Sequence, residues 1–265
     1  MNKKFPVEFV FQIFSLIVAI IIVHGVYVSV VRPKADADMR EQQIRIEEDS
    51  DYVAERSLWV IVRDFEQEAA FILMLWAMAI MGYKAVANLR EGNLMDEELV
   101  PVAEGMRILP EDTREYQRQI QALPDKTQDR LLPRAISTGL HRFSSTRNVQ
   151  DVASAAYSVC DEESERLDSE LAMIRYIAWA IPSIGFIGTV RGIGEALAQA
   201  HKAVEGDITG VTQSLGVAFN STFIALLISI VLMFLVHQLQ LQQERLTLEA
   251  KTYIDRHLIR HLQVR

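Results

Sequence analysis

The chain has 265 residues, of which 50% are hydrophobic and 23% are charged, with a formal net charge of −8 and a single cysteine. The acidic balance and the lack of basic runs with interleaved aromatic residues argue against nucleic-acid binding, and one cysteine excludes an intramolecular disulfide. The hydrophobic residues form blocks long enough to cross a bilayer, which predicts an all-α polytopic membrane protein.

Four apolar blocks are predicted to be transmembrane helices. The first is too long for a signal peptide and lacks a small-residue cleavage site, so we expect it to be retained. The fourth contains no charged residue. The predicted transmembrane domains, in chain order, are 1–31, 69–87, 173–200 and 215–236.

The connecting segments are predicted to alternate between the periplasm and the cytoplasm. The basic leader MNKK favours a cytoplasmic N-terminus, although Arg32 and Lys34, just after the first helix, count against it. Both termini would then be cytoplasmic. The segments, periplasmic and cytoplasmic in turn, are 32–68, 88–172, 201–214 and 237–265.

The connecting segments are expected to be helical. Segment 32–68 offers short helical patches around Ile44, Ile46, Val53 and 58–62. In segment 88–172 prolines separate short helices, after which one long helix runs from about Val149 into the bilayer. The last span continues below the membrane as an amphipathic tail. Long cytoplasmic helices of this kind often assemble side by side, but a solvated face explains their charges equally well.

The third span is apolar but contains several small residues, a proline and a polar threonine. Pro182, Gly185 and Thr189 fall on one side of the helix at 100° per residue. Pro182 frees a carbonyl near Ala178, which only a neighbouring group or water can satisfy. Gly188 begins a small-xxx-small pattern, which favours close helix contact.

The ionic residues of this span lie on a different side. Arg191 is about 200° from Thr189, and Glu195 is four residues further on, so they can form an ion pair near the outer end of the helix. An isolated charge at the bilayer centre would cost about 2.5–3.5 kcal/mol on insertion scales, so pairing is expected.

The fourth span carries a matching stripe of small and polar residues. Ala218, Thr222, Ala225 and Ser229 recur at helical spacing. If the chain turns near Asp207, the depths of Thr189 and Thr222 differ by only about 5 Å. Two hydroxyls at one level could line an ion path, or could serve packing alone. Spacing leaves both interpretations open.

The stretch PSIGFIGTVRGIGEAL, followed by LGVAFNSTFIALLISIVLMFL, resembles the MotA/TolQ/ExbB proton channel family. The Gly-Thr-Val step after a proline and glycines, and a threonine in the Ala/Ser/Leu-rich next helix, are the specific marks. The resemblance extends from about Glu162 to Leu246. Four spans with a large segment between the second and third are similar to MotA in number.

The resemblance implies a homopentameric ring in the bacterial inner membrane, surrounded by lipid and enclosing two copies of an ExbD/TolR/MotB-like single-span protein. Thr189 and Thr222 would line the proton pathway beside an aspartate of that partner. Val217 stands where many relatives have glutamate, and Arg191 and Glu195 are outside the family pattern, so they are assigned to the outer mouth. The residues expected to shape the wall and contact the partner are Pro182, Gly185, Gly188, Ser221 and Ala225.

The resulting prediction is a channel-forming, stator-type subunit of a motor driven by the proton-motive force, with no enzymatic activity, no cofactor and no metal. The transported ion is expected to be the proton, with sodium as an alternative. A rival hypothesis is a membrane scaffold whose cytoplasmic helices recruit other proteins. A secondary transporter is disfavoured because the chain lacks inverted repeats. His24 is interpreted as an interfacial residue with a polar partner, in preference to a proton relay.

Overall fold

The fold is given by a computed structural model that describes residues 7–48, 57–101 and 106–264. Every regular element in these ranges is a helix, apart from the isolated bridge between Ile108 and Leu262. The leader at 1–4 and Val53, on which two expectations rest, lie outside the described residues. For the part of the chain that is described, the all-α prediction is confirmed.

Four of the described helical stretches are long and apolar enough to cross a membrane, namely Val7–Ile46, Phe65–Asp96, Val149–Ala198 and Thr209–His261. They agree in number with the predicted spans. The α-helices of the described ranges are α1 Val7–Val26, α2 Arg32–Glu48, α3 Leu58–Ile61, α4 Phe65–Gly92, α5 Thr113–Gln121, α6 Asp125–Gln128, α7 Leu131–Thr146, α8 Val149–Glu170, α9 Ala172–Ala198, α10 Ala200–Val204 and α11 Thr209–His257.

The first helix continues beyond the first apolar block. A π-helical turn over Tyr27–Val31 connects α1 directly to α2, which carries polar sequence as far as Glu48. The expected short helix at 58–62 is confirmed by α3, but Ile44 and Ile46 belong to the long α2 and not to a short patch, because no glycine or proline after Pro33 interrupts α2. The segment before α4 lies against α2, where Arg63 pairs with Asp36 at 3.1 Å.

The chain forms two compact units. The first contains the described residues of Met1–Met81 and of Met173–Val236. In it, α10 and a turn at Gly206, whose φ of +102° suits glycine, connect α9 to α11. The Asp207 carboxylate accepts a hydrogen bond from the N–H of Thr209 at 3.0 Å, and this bond lowers the pKa of Asp207. The turn lies where the sequence predicts it.

The second unit contains Gly82–Ala172 and the described residues of His237–Arg265. Its core is built from α7, α8 and the last turns of α11, with Phe143, Val152 and Ile254 completely buried. The hydroxyl of Tyr253 donates to the carbonyl of Glu97 at 2.9 Å and accepts from the N–H of Leu99 at 3.0 Å. The apolar face of the amphipathic tail is thus buried within the chain itself.

Replacing Phe143 by alanine should destabilise the second unit. The ring is 0% exposed, so the change leaves a cavity, and the free energy of unfolding should fall by about 3–5 kcal/mol. Thermal unfolding of the detergent-solubilised protein measures this loss. Ser144→Ala is the matched control, since Ser144 is exposed and bonds only to His141 on its own helix. Equal stability of the two variants would contradict the assigned core.

Candidate functional site: two threonines where α9 meets α11

Three glycines of α9 lie against α11. Gly185, Gly188 and Gly192 are buried, and each is so close to α11 that an added methyl group would collide with it. A Cβ atom on Gly185 would lie 2.5 Å from the Cβ of Ala225, and one on Gly188 would lie 2.5 Å from the Cβ of Ser221. We call this contact, along the three glycines, the glycine seam. It brings the two backbones closer than any larger residue would allow.

Thr189 and Thr222 meet at the edge of the glycine seam. Their Oγ1 atoms are hydrogen-bonded to each other. Thr189 Oγ1 also lies 3.0 Å from the carbonyl oxygen of Ala218 and 3.3 Å from that of Gly185, while Thr222 Oγ1 lies 3.1 Å from the carbonyl oxygen of Gly185. Both threonines are partly exposed. The structure therefore brings the two predicted hydroxyls together at an accessible position.

The two hydroxyls together have two protons to donate, but more than two acceptor oxygens lie within hydrogen-bond distance of them. Thr189 can donate to Ala218 while Thr222 donates to Thr189, or Thr189 can donate to Thr222 while Thr222 donates to Gly185. Hydroxyl hydrogens rotate, and each oxygen can accept as well as donate. The pair can consequently reverse the direction of its hydrogen bonds without moving a heavy atom. It can also accept a bond from a third group.

The break caused by Pro182 is repaired across the glycine seam. Pro182 lies inside α9 and provides no N–H for the carbonyl of Ala178. The hydroxyl of Ser229, on α11, donates to this carbonyl at 3.0 Å. The neighbouring group that the sequence requires is therefore a serine of the same stripe as Thr222.

The remaining predicted wall residues lie inside the glycine seam. Ser221 and Ala225 are each 1% exposed, and the Ser221 hydroxyl donates to the carbonyl of Val217 on its own helix at 2.9 Å. Pro182 is partly exposed. The structure places Ser221 and Ala225 in contact with glycines of the same chain. Their contact with a partner chain stays a prediction.

Arg191 has a second partner that the sequence does not reveal. Its Nη1 donates to Glu195 Oε1 at 2.9 Å, as predicted. In addition, Nε and Nη2 donate to the two carboxylate oxygens of Glu66, at the start of α4, at 2.7 and 2.9 Å. Two parallel bonds of this kind are the strongest arginine–carboxylate geometry. Close by, burial raises the pKa of Asp64.

The next acidic residue on this turn of α4 binds the first helix. The Glu68 carboxylate is 2.6 Å from Nδ1 of His24 and 2.5 Å from the Arg32 guanidinium. Its side chain is only 7% exposed. His24 therefore has the polar partner expected of an interfacial histidine. Periodicity within one helix cannot identify Glu66 or Glu68, because their partners lie far away in the sequence.

The region that contains the two threonines is similar to a known protein family. Residues 125–252 match the family model described as the MotA/TolQ/ExbB proton channel family. No curated protein and no solved structure gave a match. The resemblance proposed from the sequence is thereby confirmed, and together with the four apolar helices it indicates a membrane protein.

Substituting Gly185 by alanine should separate α9 from α11. The new Cβ would lie 2.5 Å from Ala225 and 3.0 Å from the backbone oxygen of Ser221, so overpacking should cost about 1–3 kcal/mol. Gly194→Ala is the control on the same helix, because, apart from its own helical backbone and chain neighbours, no atom lies within 4 Å of its Cβ position. Thermal unfolding in detergent should show Gly185→Ala less stable and Gly194→Ala unchanged or slightly more stable. The reverse order would refute the glycine seam.

The bond from Ser229 to Ala178 should matter only while Pro182 is present. Ser229→Ala leaves the carbonyl without its donor and should lower the free energy of unfolding by about 1–3 kcal/mol. In a Pro182→Ala background the helix regains an N–H, so the same change should cost clearly less. A double-mutant cycle on unfolding free energies measures the coupling. Additive effects would show that Ser229 does not compensate for the proline.

Proposed function

We propose that the protein is the channel-forming, stator-type subunit of a proton-driven motor or energy transducer, because residues 125–252 match the model of the MotA/TolQ/ExbB proton channel family. It assembles as a ring of five copies in a bacterial inner membrane, with both termini in the cytoplasm. Two copies of a partner, each with one transmembrane helix that carries a protonatable aspartate, occupy the ring. The family is one of channels and is not known as an enzyme family.

The partly exposed pair of Thr189 and Thr222 is the observation that carries the proposal. The two helices that carry the pair provide no carboxylate there: α9 has no acidic or basic residue between Arg175 and Arg191, and α11 has none before His237. The nearby Glu66 carboxylate of α4 is bound by Arg191 through two hydrogen bonds. Hydroxyls do not titrate in the physiological range, so they cannot carry a proton across the membrane alone. A carboxyl group from another chain is therefore required.

The geometry of the pair suits such a carboxyl group in both of its protonation states. A protonated aspartic acid can donate to a threonine oxygen, whereas an ionised one can accept from a threonine hydroxyl. The alternative hydrogen-bond directions of the pair supply an acceptor in one case and a donor in the other. The threonine pair can thus hydrogen-bond to the carboxyl group in either protonation state without becoming charged itself.

The energy for work comes from the ion. One proton that crosses about 100 mV releases about 2.3 kcal/mol. This is enough to bias a partner between two positions whose free energies differ by a similar amount. We propose the proton as the ion, with no cofactor, and sodium is the competing ion to be tested.

The test is removal of each hydroxyl. In the complex with its single-span partner, Thr189→Val and Thr222→Val should abolish proton flux into liposomes while the ring still assembles, because valine keeps the shape of threonine but cannot hydrogen-bond. Thr189→Ser and Thr222→Ser should retain flux. A pH-sensitive dye inside the liposomes measures flux, and native mass spectrometry measures assembly.

Thr212→Val is the matched control for these variants. Thr212 is exposed on α11, and its hydroxyl bonds only to the carbonyls of Ile208, just before this helix, and Thr209, its first residue. Its removal should leave flux unchanged. Normal flux in both valine variants of the pair would overturn the channel proposal and favour a scaffold whose small residues serve packing. Replacing sodium by potassium in the buffers decides between the two ions.

A further inference from the structure

The glycine seam holds α9 and α11 close together but does not by itself fix their relative depth. Gly185 and Gly188 of α9 face Ala225 and Ser221 of α11, and Gly192 faces Ala218. A slide of one helical turn, about 5.4 Å, would bring small residues opposite small residues again. Packing of this kind distinguishes weakly between the two depths. Directional polar contacts have to select one of them.

Glu66 makes such a contact at the middle of the glycine seam. Its Cγ lies 3.0 Å from the position that a Cβ on Gly188 would take, and Ser221 Cβ lies 2.5 Å from the same position. Glu66 is therefore beside both helices. Its side chain is 11% exposed, and its carboxylate binds the guanidinium of Arg191 through two nitrogens. Arg191 follows Thr189 by two residues on α9.

We propose that Glu66 is a positioning residue that sets the depth and rotation of α9 through Arg191, so that Thr189 stays opposite Thr222. The inference rests on the proposed function of that pair. A planar guanidinium and a carboxylate joined by two bonds define a distance and an orientation, which a single contact does not. The anchor itself is fixed, because Glu68 on the same turn of α4 binds Arg32 and His24 of the first helix.

Removing the Glu66 charge releases α9 from this anchor. Arg191 keeps Glu195 as its partner, but this residue lies on the same helix, at i+4, and so fixes nothing relative to α4 or α11. The side chain of Arg191, already 38% exposed, is then free to turn outward. Only the hydroxyl–carbonyl bonds of Thr189, Thr222 and Ser229 then oppose a change of depth, and the two threonines meet for a smaller fraction of the time.

The test measures how often positions 189 and 222 come into contact, and it does not depend on ion flux. In a Cys160→Ala chain with its partner present, Thr189→Cys and Thr222→Cys should form a disulfide rapidly on oxidation in membranes. Glu66→Gln should slow the reaction about tenfold in the assembled fraction, the effect expected for losing hydrogen bonds to a charged group. Glu195→Gln is the control and should leave the rate unchanged. Arg191→Lys keeps the charge without the two-bond geometry and should give an intermediate rate.

Non-additivity shows whether Glu66 acts through Arg191. In an Arg191→Gln background, Glu66→Gln should slow the disulfide no further, whereas a general loss of stability would add a second decrease. An unchanged rate in Glu66→Gln and Arg191→Lys, or equal slowing by Glu195→Gln, would overturn the inference. Because cross-linking needs no conduction, this outcome is separate from the flux of the threonine-to-valine variants. The cross-linking result can therefore contradict the role of Glu66 while the flux result supports the channel, and the reverse is also possible.

Discussion

The hydrogen bonds that cross from a hydroxyl of one helix to a carbonyl of the other govern the structure of the first unit. Ser229 donates to Ala178, and the Thr189–Thr222 pair donates either to Ala218 through Thr189 or to Gly185 through Thr222. In hydrocarbon no water replaces a lost partner, so a backbone carbonyl released by a proline or exposed by a glycine has to be satisfied by the protein. The glycines that permit close approach and the hydroxyls that satisfy the exposed backbone are therefore parts of one arrangement.

The charged residues of the first unit follow a different rule. Glu66 and Glu68 on the first turn of α4 bind Arg191 of α9 and Arg32 of α2, so each of these two arginines has a counter-charge from another helix. Arginine costs about 2.5–3.5 kcal/mol at the bilayer centre on insertion scales, and a buried partner removes much of this cost. The first helix, which the family resemblance does not explain, is thereby connected to α9 through α4.

Much of this arrangement could be predicted from the sequence, because it depends on distances along one helix or across one short hairpin. Counting residues from the turn near Asp207 places Thr189 and Thr222 at one depth, and their hydroxyls are in contact. The contacts of Arg191 with Glu66 and of His24 with Glu68 could not be predicted, since both glutamates belong to a distant segment whose packing no local period encodes. The continuation of the first helix to Glu48 was missed because polar composition alone does not end a helix.

The ion pair of Arg191 also bears on the chemistry of the threonines. An unpaired guanidinium two residues from Thr189 would lower the pKa of any carboxyl group brought to the pair and would hold it ionised. Such an acid could not take up a proton. Because Glu66 and Glu195 both bind Arg191, its positive charge is compensated by carboxylates of the same chain. The surface that the two threonines present is then polar without being charged, and a carboxyl group that binds there can both gain and lose its proton.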